Sequence, residues 1–227
     1  MNLTLAMSTS TPQVSLALSG EEGILSSFSL RAGRRHAETL APAIDALFRI
    51  SGTDIGSLRR VAVDVGPGLF TGLRVGVSTA KALGHALGIP VVTAGSLEIL
   101  AFACRHDRRP VASVVDARRG EVFWALHRTG PGGIELISGP AVATPSRLAE
   151  VLAATVGPVL VTGDGARRYM AELSPLGDRI EVAPELFDHP SADQLAVMSA
   201  GLEEIQAALV TPRYMREADV RIGWDQR

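Results

Sequence analysis

A strand, a short polar turn and a second strand occur twice along this chain, once in each half. The first copy comprises the strand 3–7, the turn 8–12 and the strand 14–18, and the second comprises the strand 110–115, the turn 116–120 and the strand 122–126. The two copies share almost no sequence identity, so the repeat is one of architecture. Strands and helices alternate in both halves, which predicts an α/β protein with mixed sheets.

The repeat also divides the chain into two lobes. We expect an N-terminal lobe over residues 1–107 and a C-terminal lobe over residues 108–227, with the tail 205–227 as a candidate to pack back on the N-terminal lobe. Two lobes that each open with a hairpin and continue through helix–strand units have the layout of a duplicated ribonuclease-H-like fold.

Helices are predicted from apolar spacing and from capping residues. Residues 37–48 carry an apolar stripe at helical spacing, interrupted by Pro42. Either Pro42 occupies the first turn of this helix or the helix begins later than the stripe. A second helix is predicted over residues 72–87, with Thr71 as its N-cap and Gly88 at its end. Further helices are expected over 96–103, 145–152 and 194–203, and further strands over 24–30, 61–65, 91–92 and 159–161.

Composition narrows the class of protein. Hydrophobic residues make up 46% of the chain and charged residues 20%, which is enough to bury a core. No apolar stretch reaches the roughly 20 residues that span a bilayer, and the first residues do not read as a signal peptide. The single cysteine, Cys104, favours a cytoplasmic protein. The net charge of −2 indicates that any contact with RNA is shared with another protein.

Residues 61–97 carry the most information. A β-branched strand ends in a Gly-rich turn, where Gly66 and Gly68 allow a sharp bend and a close backbone approach. The helix that follows places small residues four apart on one face, at positions 72, 76, 80, 84 and 88. An interior glycine costs a helix about 1 kcal/mol, so this small-residue ladder needs a close neighbour. Spacing alone favours a neighbour within the chain, the helix over residues 37–48, over one in another chain.

The same segment resembles a known family. Residues 66–76 read GPGLFTGLRVG and are very close to the GPGSFTGLRIG signature of the TsaB (YeaZ) family. Other matches keep the family's order: residues 8–12 resemble DTSTP, residues 36–42 resemble HSExLLP, residues 78–81 resemble ATAK, residues 116–122 resemble DARRGEVY, and residues 212–216 resemble the PxYLR of its tail. The resemblance therefore spans nearly the whole chain.

This resemblance implies an actin-like (ASKHA) fold and a role in making N6-threonylcarbamoyladenosine at position 37 of tRNAs that read ANN codons. It implies a non-catalytic scaffold subunit that binds a catalytic TsaD-like subunit, recruits a TsaE-like ATPase and contacts tRNA only through the complex. Because of the resemblance, we expect the neighbour of the small-residue ladder to be another chain rather than a segment of the same chain. The ladder is then predicted to bind the partner subunit, or a second copy of this chain when the partner is absent. The predicted interface residues are Leu40, Ile44, Leu47, Gly72, Val75, Gly76, Thr79, Ala80, Leu83 and Gly84.

The resemblance also marks other positions. His36, Glu38, Arg74, Lys81, Asp116, Arg118 and Glu121 match family motifs. Ser8, Gly66 and Gly68 mark the relic of a nucleotide site, because ATP-using members of the fold, and the DTSTP motif itself, have Asp at the position of Ser8. A hydroxyl is a poor substitute for a carboxylate beside a magnesium-bound triphosphate.

The residues offer little catalytic chemistry. The five histidines include no pair spaced like the HxxxH metal ligands of the catalytic paralogue, and no Cys/His cluster has zinc spacing. Asp164 between two glycines is either a simple turn or a phosphate-loop relic. We therefore expect no catalytic residue, no metal and no cofactor in this subunit. The alternative is an ATP-dependent enzyme of the same fold, or a peptidase as sometimes proposed for this family.

Overall fold

A computed structural model of the chain describes residues 2–33, 35–130 and 133–216. The first of its two sheets has five strands: β1 (Leu3–Ser8), β2 (Gln13–Gly20), β3 (Gly23–Arg31), β4 (Leu58–Asp64) and β5 (Val91–Ala94). Their order is β3-β2-β1-β4-β5. Strand β1 is antiparallel to β2 and parallel to β4, so the sheet is mixed.

The second sheet repeats this arrangement. Its strands are β6 (Val111–Arg118), β7 (Glu121–Gly130), β8 (Gly133–Ala143), β9 (Val159–Thr162) and β10 (Ile180–Val182), in the order β10-β9-β6-β7-β8. Strand β6 is antiparallel to β7 and parallel to β9, as β1 is to β2 and β4. Equivalent strands therefore occupy equivalent places in both sheets, and the predicted α/β architecture of two mixed sheets flanked by helices is confirmed.

Seven α-helices flank the sheets within the described residues: α1 (His36–Ser51), α2 (Phe70–Leu87), α3 (Ser96–Ala103), α4 (Pro145–Ala154), α5 (Asp164–Arg168), α6 (Met170–Leu173) and α7 (Ala192–Met198). Apolar residues of α1 and α2, such as Leu40 and Val77, pack on one face of the first sheet. Leu195 of α7 packs on its other face. The first sheet is thus covered by helices on both faces.

Two predictions about helix starts were wrong. Helix α1 begins at His36, so Pro42 lies inside the helix rather than in its first turn or before its start. Pro42 is exposed, and the helix tolerates it because the carbonyl group that loses its partner is that of Glu38, also on the exposed side. Helix α2 begins at Phe70, before the predicted N-cap Thr71. The N–H of Leu69 donates to the carbonyl of Ser10 at 2.6 Å, which directs the chain into the helix earlier.

Residues beyond the second sheet return to the first lobe. The predicted helix over 194–203 is shorter, since α7 ends at Met198, and its start is fixed by a 2.9 Å bond from the N–H of Ala192 to the hydroxyl of Ser15. Ile205 pairs with Val91 at the edge of the first sheet. Residues 205–214 of the predicted tail thus lie on the N-terminal lobe, and Arg216 reaches the second hairpin. Residues 217–227 lie outside the described part. The boundary at 107/108 stays a prediction.

Candidate functional site

A buried carboxylate lies where the turn after β1 meets the end of β4 in the first lobe. Asp64 ends β4 and is fully buried. One of its oxygens accepts hydrogen bonds from the hydroxyls of Ser8 (2.7 Å) and Ser10 (2.5 Å). The other accepts from the hydroxyl of Ser96 (2.6 Å) and the N–H of Gly66 (2.9 Å). Burial raises the pKa of Asp64, and these hydrogen bonds oppose the shift.

This network occupies the place of the predicted nucleotide relic. The hydroxyl of Ser8 is committed to Asp64, and Gly66 contributes its N–H to the same carboxylate. Gly68 lies directly against the backbone of Ser10, so closely that a Cβ at position 68 would overlap the Ser10 carbonyl. The Gly-rich turn therefore closes onto the first hairpin of its own chain. The structure brings Ser8, Gly66 and Gly68 together, but around a carboxylate rather than around an open phosphate cradle.

In the second lobe, Asp116 and Asp164 occupy the positions that correspond to Ser8 and Asp64 in the first. Asp116 lies near the end of β6, and its backbone N–H donates to the carboxylate of Asp164, at the start of α5, at 3.0 Å. Burial raises the pKa of Asp164. Asp116 itself pairs with Arg118 at 3.1 Å and with Arg168 at 3.4 Å. Asp164 is thus neither a simple turn residue nor a free phosphate ligand, because its carboxylate joins the ends of two strands.

The small-residue ladder faces the protein's own chain, so its assignment to an interface between chains was wrong. Gly72 and Gly76 pack against Thr9, whose carbonyl or hydroxyl would overlap a Cβ at either position. Gly84 packs against Ala207, 2.7 Å from an added Cβ. Ala80 is fully buried in the core of the first lobe. Spacing alone favoured a neighbour within the chain, but it pointed to the helix over residues 37–48 rather than to Thr9 and Ala207.

The remaining predicted interface residues separate into two groups. Leu40, Ile44 and Leu47 of α1 are buried in the core of the first lobe, so they were wrongly placed at a surface. Val75, Thr79 and Leu83 of α2 are partly exposed. Exposed alanines extend this second group on both helices, namely Ala37, Ala41, Ala82 and Ala86. We call these seven residues the outer α1–α2 face.

The other family-motif residues have structural contacts. His36 is buried, and its Nε2 lies 2.7 Å from the carbonyl of Thr11, which ties α1 to the first hairpin. Lys81 donates to the carbonyls of Ala208 and Val210, at 3.0 and 3.1 Å, and so holds the tail on α2. Glu38 is exposed.

Two motifs distant in sequence meet between the lobes. Glu121, in the second hairpin, pairs with Arg216 of the tail at 3.1 Å. Arg216 also donates to the carbonyl of Ala117 at 3.0 Å. Arg74 of α2 lies over the ring of Phe70, 4.1 Å from its centroid. These contacts frame a cleft of about 330 Å³ between the lobes.

Sequence reasoning missed Asp64 and Ser96. A signal for Asp64 was present, because an acidic residue within an otherwise apolar buried strand is unusual unless it is paired. Within residues 2–33, 35–130 and 133–216, no group of three or more His, Cys, Asp or Glu side chains is placed to hold a metal ion. No helix in the described part is long and apolar enough to cross a membrane.

Two five-stranded sheets of identical order, each entered through a hairpin and separated by a cleft, define a protein of the two-lobed actin-like (ASKHA) class. The family described as "TsaD: tRNA N6-adenosine threonylcarbamoyltransferase" matches residues 30–224, so the chain belongs to that family. The names of its relatives place it among the TsaB (YeaZ) proteins.

Individual relatives agree with this assignment. The chain is 27% identical over 221 residues to the tRNA threonylcarbamoyladenosine biosynthesis protein TsaB of Bacillus subtilis (strain 168), covering 97% of this chain and 96% of that protein. It is 30% identical over 132 residues to the TsaB of Escherichia coli (strain K12), covering 57% of each. The solved structure of YeaZ from Pseudomonas aeruginosa has a TM-score of 0.81 and 28% identity, covering 94% of this chain and 100% of that one.

Proposed function

We propose that this chain is a non-catalytic subunit of the cytoplasmic complex that forms N6-threonylcarbamoyladenosine at position 37 of ANN-decoding tRNAs. In this role it binds a TsaD-like catalytic subunit and recruits a TsaE-like ATPase. Membership in a family whose relatives are named for threonylcarbamoyladenosine biosynthesis supports the pathway.

The observation that carries the subunit role is the outer α1–α2 face. Its residues are small or apolar, and four of them are exposed alanines. Small side chains allow another helix to approach closely, and a helix pair that presents them offers a flat surface for a partner's helices. Helices α1 and α2 are also fixed rigidly by the core beneath them, since Leu40, Ile44 and Val77 are buried. A rigid, small-residue face is suited to docking a protein partner.

The first-hairpin network supports the non-catalytic part of the proposal. A nucleotide-binding hairpin needs donors and carboxylates that face an open cradle. Here Ser8 and Ser10 both donate inward to Asp64, and Gly68 packs on the Ser10 backbone. These groups are engaged by the protein itself.

The test is co-expression with the TsaD-like protein of the same genome, followed by size-exclusion chromatography and a reconstituted assay for the modified nucleoside. We expect the two chains to elute together. The variant Ala82→Arg places a long charged side chain on the outer α1–α2 face and should abolish co-elution while leaving the circular dichroism spectrum unchanged.

The matched control is Ala153→Arg, an exposed helical alanine on α4 in the other lobe. It should co-elute like the unmodified chain. Co-elution of the Ala82→Arg variant would place the partner surface elsewhere. Formation of the modified nucleoside by this chain alone would overturn the non-catalytic assignment.

A further inference from the structure

An exposed aromatic platform lies at one side of the cleft between the lobes. The rings of Phe70 and Tyr214 are 5.0 Å apart at an interplanar angle of 34°. Arg74 covers Phe70, and its Nε lies 3.4 Å from the Tyr214 hydroxyl. Tyr214 remains 44% exposed. Phe70 and the guanidinium group of Arg74 hold the Tyr214 ring in place. Its exposed face is a surface on which another planar group can stack.

Arginine side chains surround this platform. The cleft is lined by Arg118, Arg119, Arg213 and Arg216, with Asp116 as its acidic residue. The guanidinium groups of Arg118 and Arg168 share one oxygen of Asp116, so two positive charges face one negative charge. Arg118 and Arg168 are 50% and 56% exposed. Arg213 and Arg216 pair with Glu98 at 2.9 Å and with Glu121 at 3.1 Å, so the excess of positive charge is confined to the arginines around Asp116.

The backbone of the second hairpin holds two of these arginines in an unfavourable conformation. Arg118 and Arg119 have φ angles of 65° and 56°, and they are the two non-glycine residues with positive φ in the described part of the chain. Asparagine or glycine would adopt this conformation at lower cost than arginine. These angles belong to the tight turn of the β6–β7 hairpin, in which Arg118 pairs with Glu121, and the turn places Arg118 and Arg119 in the lining of the cleft.

We propose that this cleft binds an unpaired RNA segment, whose phosphates contact Arg118 and Arg119 and one of whose bases stacks on Tyr214. Arginines beside an exposed aromatic ring are the combination that binds single-stranded nucleic acid, through its backbone charge and its base faces. That the RNA is tRNA rests on the proposed function. The cleft then supplies this chain's share of the RNA contacts made by the complex.

The first test measures binding of a fluorescein-labelled single-stranded oligouridine to the full chain by anisotropy at several KCl concentrations. The double variant Arg118→Asn/Arg119→Asn removes both cations, while asparagine accepts the left-handed backbone readily. We expect affinity to fall about tenfold at roughly 0.1 M salt and the salt slope to fall by about 1.4, or about 0.7 for each lost phosphate contact. Its thermal unfolding midpoint should be unchanged or higher, which a merely structural role for the arginines would not produce.

The control is Arg128→Asn/Arg147→Asn, which removes two exposed arginines of the same lobe away from the cleft. Their side chains are 67% and 68% exposed, and each pairs with one glutamate. This variant should keep the affinity and the salt slope of the unmodified chain. Equal losses in the two double variants, or no binding of oligouridine by the unmodified chain, would overturn the proposal.

The second test separates stacking from charge. Tyr214→Ala should weaken oligouridine binding about tenfold, whereas Tyr214→Phe keeps the ring and should bind normally. Equal binding by the alanine variant and the unmodified chain would remove Tyr214 from the site. Adenosine monophosphate serves as a competitor. If it displaces the oligouridine at equal phosphate concentration, the cleft is a mononucleotide site and the assignment to RNA is wrong.

The outcomes for the cleft and for the proposed function are separable. Oligouridine binding is measured on the chain alone, so it does not depend on a partner. Failure to co-elute with the TsaD-like protein would defeat the proposed function and leave the cleft measurement standing. Normal tRNA binding and modification by a complex that carries Arg118→Asn/Arg119→Asn would defeat the cleft proposal and leave the subunit role intact.

Discussion

The hydroxyl of Ser8 donates a 2.7 Å hydrogen bond to the carboxylate of Asp64, and this bond joins the ends of β1 and β4. The two strands run parallel side by side, so both residues emerge at the same edge of the first sheet. In place of water, the carboxylate of Asp64 accepts hydrogen bonds from three hydroxyl groups and one backbone N–H. This edge of the sheet, where the family resemblance predicts the relic of a nucleotide site, is a closed hydrogen-bond network.

Removing the carboxylate should destabilise the first lobe. In Asp64→Asn, an NH₂ group replaces one oxygen, so at least one buried hydroxyl loses its acceptor. Leaving buried polar groups unpaired costs about 1–3 kcal/mol, and we expect a loss of that order in the free energy of unfolding. Urea denaturation followed by circular dichroism measures it. Asp178→Asn, at an exposed position, should change the free energy by less than about 0.5 kcal/mol; equal effects would show that the network contributes nothing.

The cost of Asp64→Asn should depend on pH. Burial raises the pKa of Asp64 above 3.8, so the folded protein retains a proton there that the unfolded chain has released. The stability contributed by Asp64 is therefore complete below pH 3.8 and declines as the pH rises through the folded-state pKa. Because asparagine does not titrate, the difference in unfolding free energy between the two proteins should shrink as the pH rises from about 4. A difference that grows with pH would contradict a raised pKa.

Restoring the family's aspartate at position 8 should not restore nucleotide chemistry. In Ser8→Asp a second carboxylate would lie within hydrogen-bond distance of Asp64, where two negative charges repel strongly. We expect a loss of stability at pH 7 of roughly 3 kcal/mol, and roughly 1 kcal/mol for the control Ser8→Ala, which only removes the hydrogen bond.

Phosphate release from ATP and Mg²⁺ provides the functional readout for Ser8→Asp. A rise in turnover of about 100-fold, or roughly 2.7 kcal/mol of activation free energy, would show that the rest of a nucleotide site is intact. We expect no such rise, because Ser10 and Gly68 still close the turn against the hairpin.

Adding one carbon to the small-residue ladder should destabilise the first lobe. A Cβ at Gly76 would overlap the hydroxyl of Thr9, which itself donates to the carbonyl of Gly72 at 2.8 Å. Gly76→Ala should therefore lower the free energy of unfolding by about 1–3 kcal/mol, although alanine favours helices. Gly201→Ala is the control, since nothing lies within 4 Å of a Cβ there. A Gly76→Ala variant as stable as Gly201→Ala would show that Thr9 moves aside freely.

Much of the fold was predictable because its hairpins have clear periodicity. The alternation in β2 and the apolar runs of β4 and β6 identified these strands and their repeated layout. Strand β8 was missed because it is interrupted by Gly139 and Pro140 and is mostly half-exposed. Strand β10 spans three residues, too few for any periodicity.

The candidate site was less predictable, because its parts come together only through the sheet. Spacing showed that Gly72, Gly76 and Gly84 share a helix face, but it could not show that Thr9 and Ala207 lie opposite them. The meeting of Tyr214 with Phe70 depends on the path of the tail, which no local pattern records.

The return of α7 and the tail to the first lobe affects the order in which the protein can fold during synthesis. The core of that lobe contains Leu195 and Val210, both almost fully buried, together with strands made near the beginning of the chain. Until residues 192–210 leave the ribosome, one face of the first sheet and part of helix α2 remain uncovered. The second lobe has a continuous sequence from β6 to β10 and can close before them. The half of the molecule translated first is therefore the half that finishes folding last.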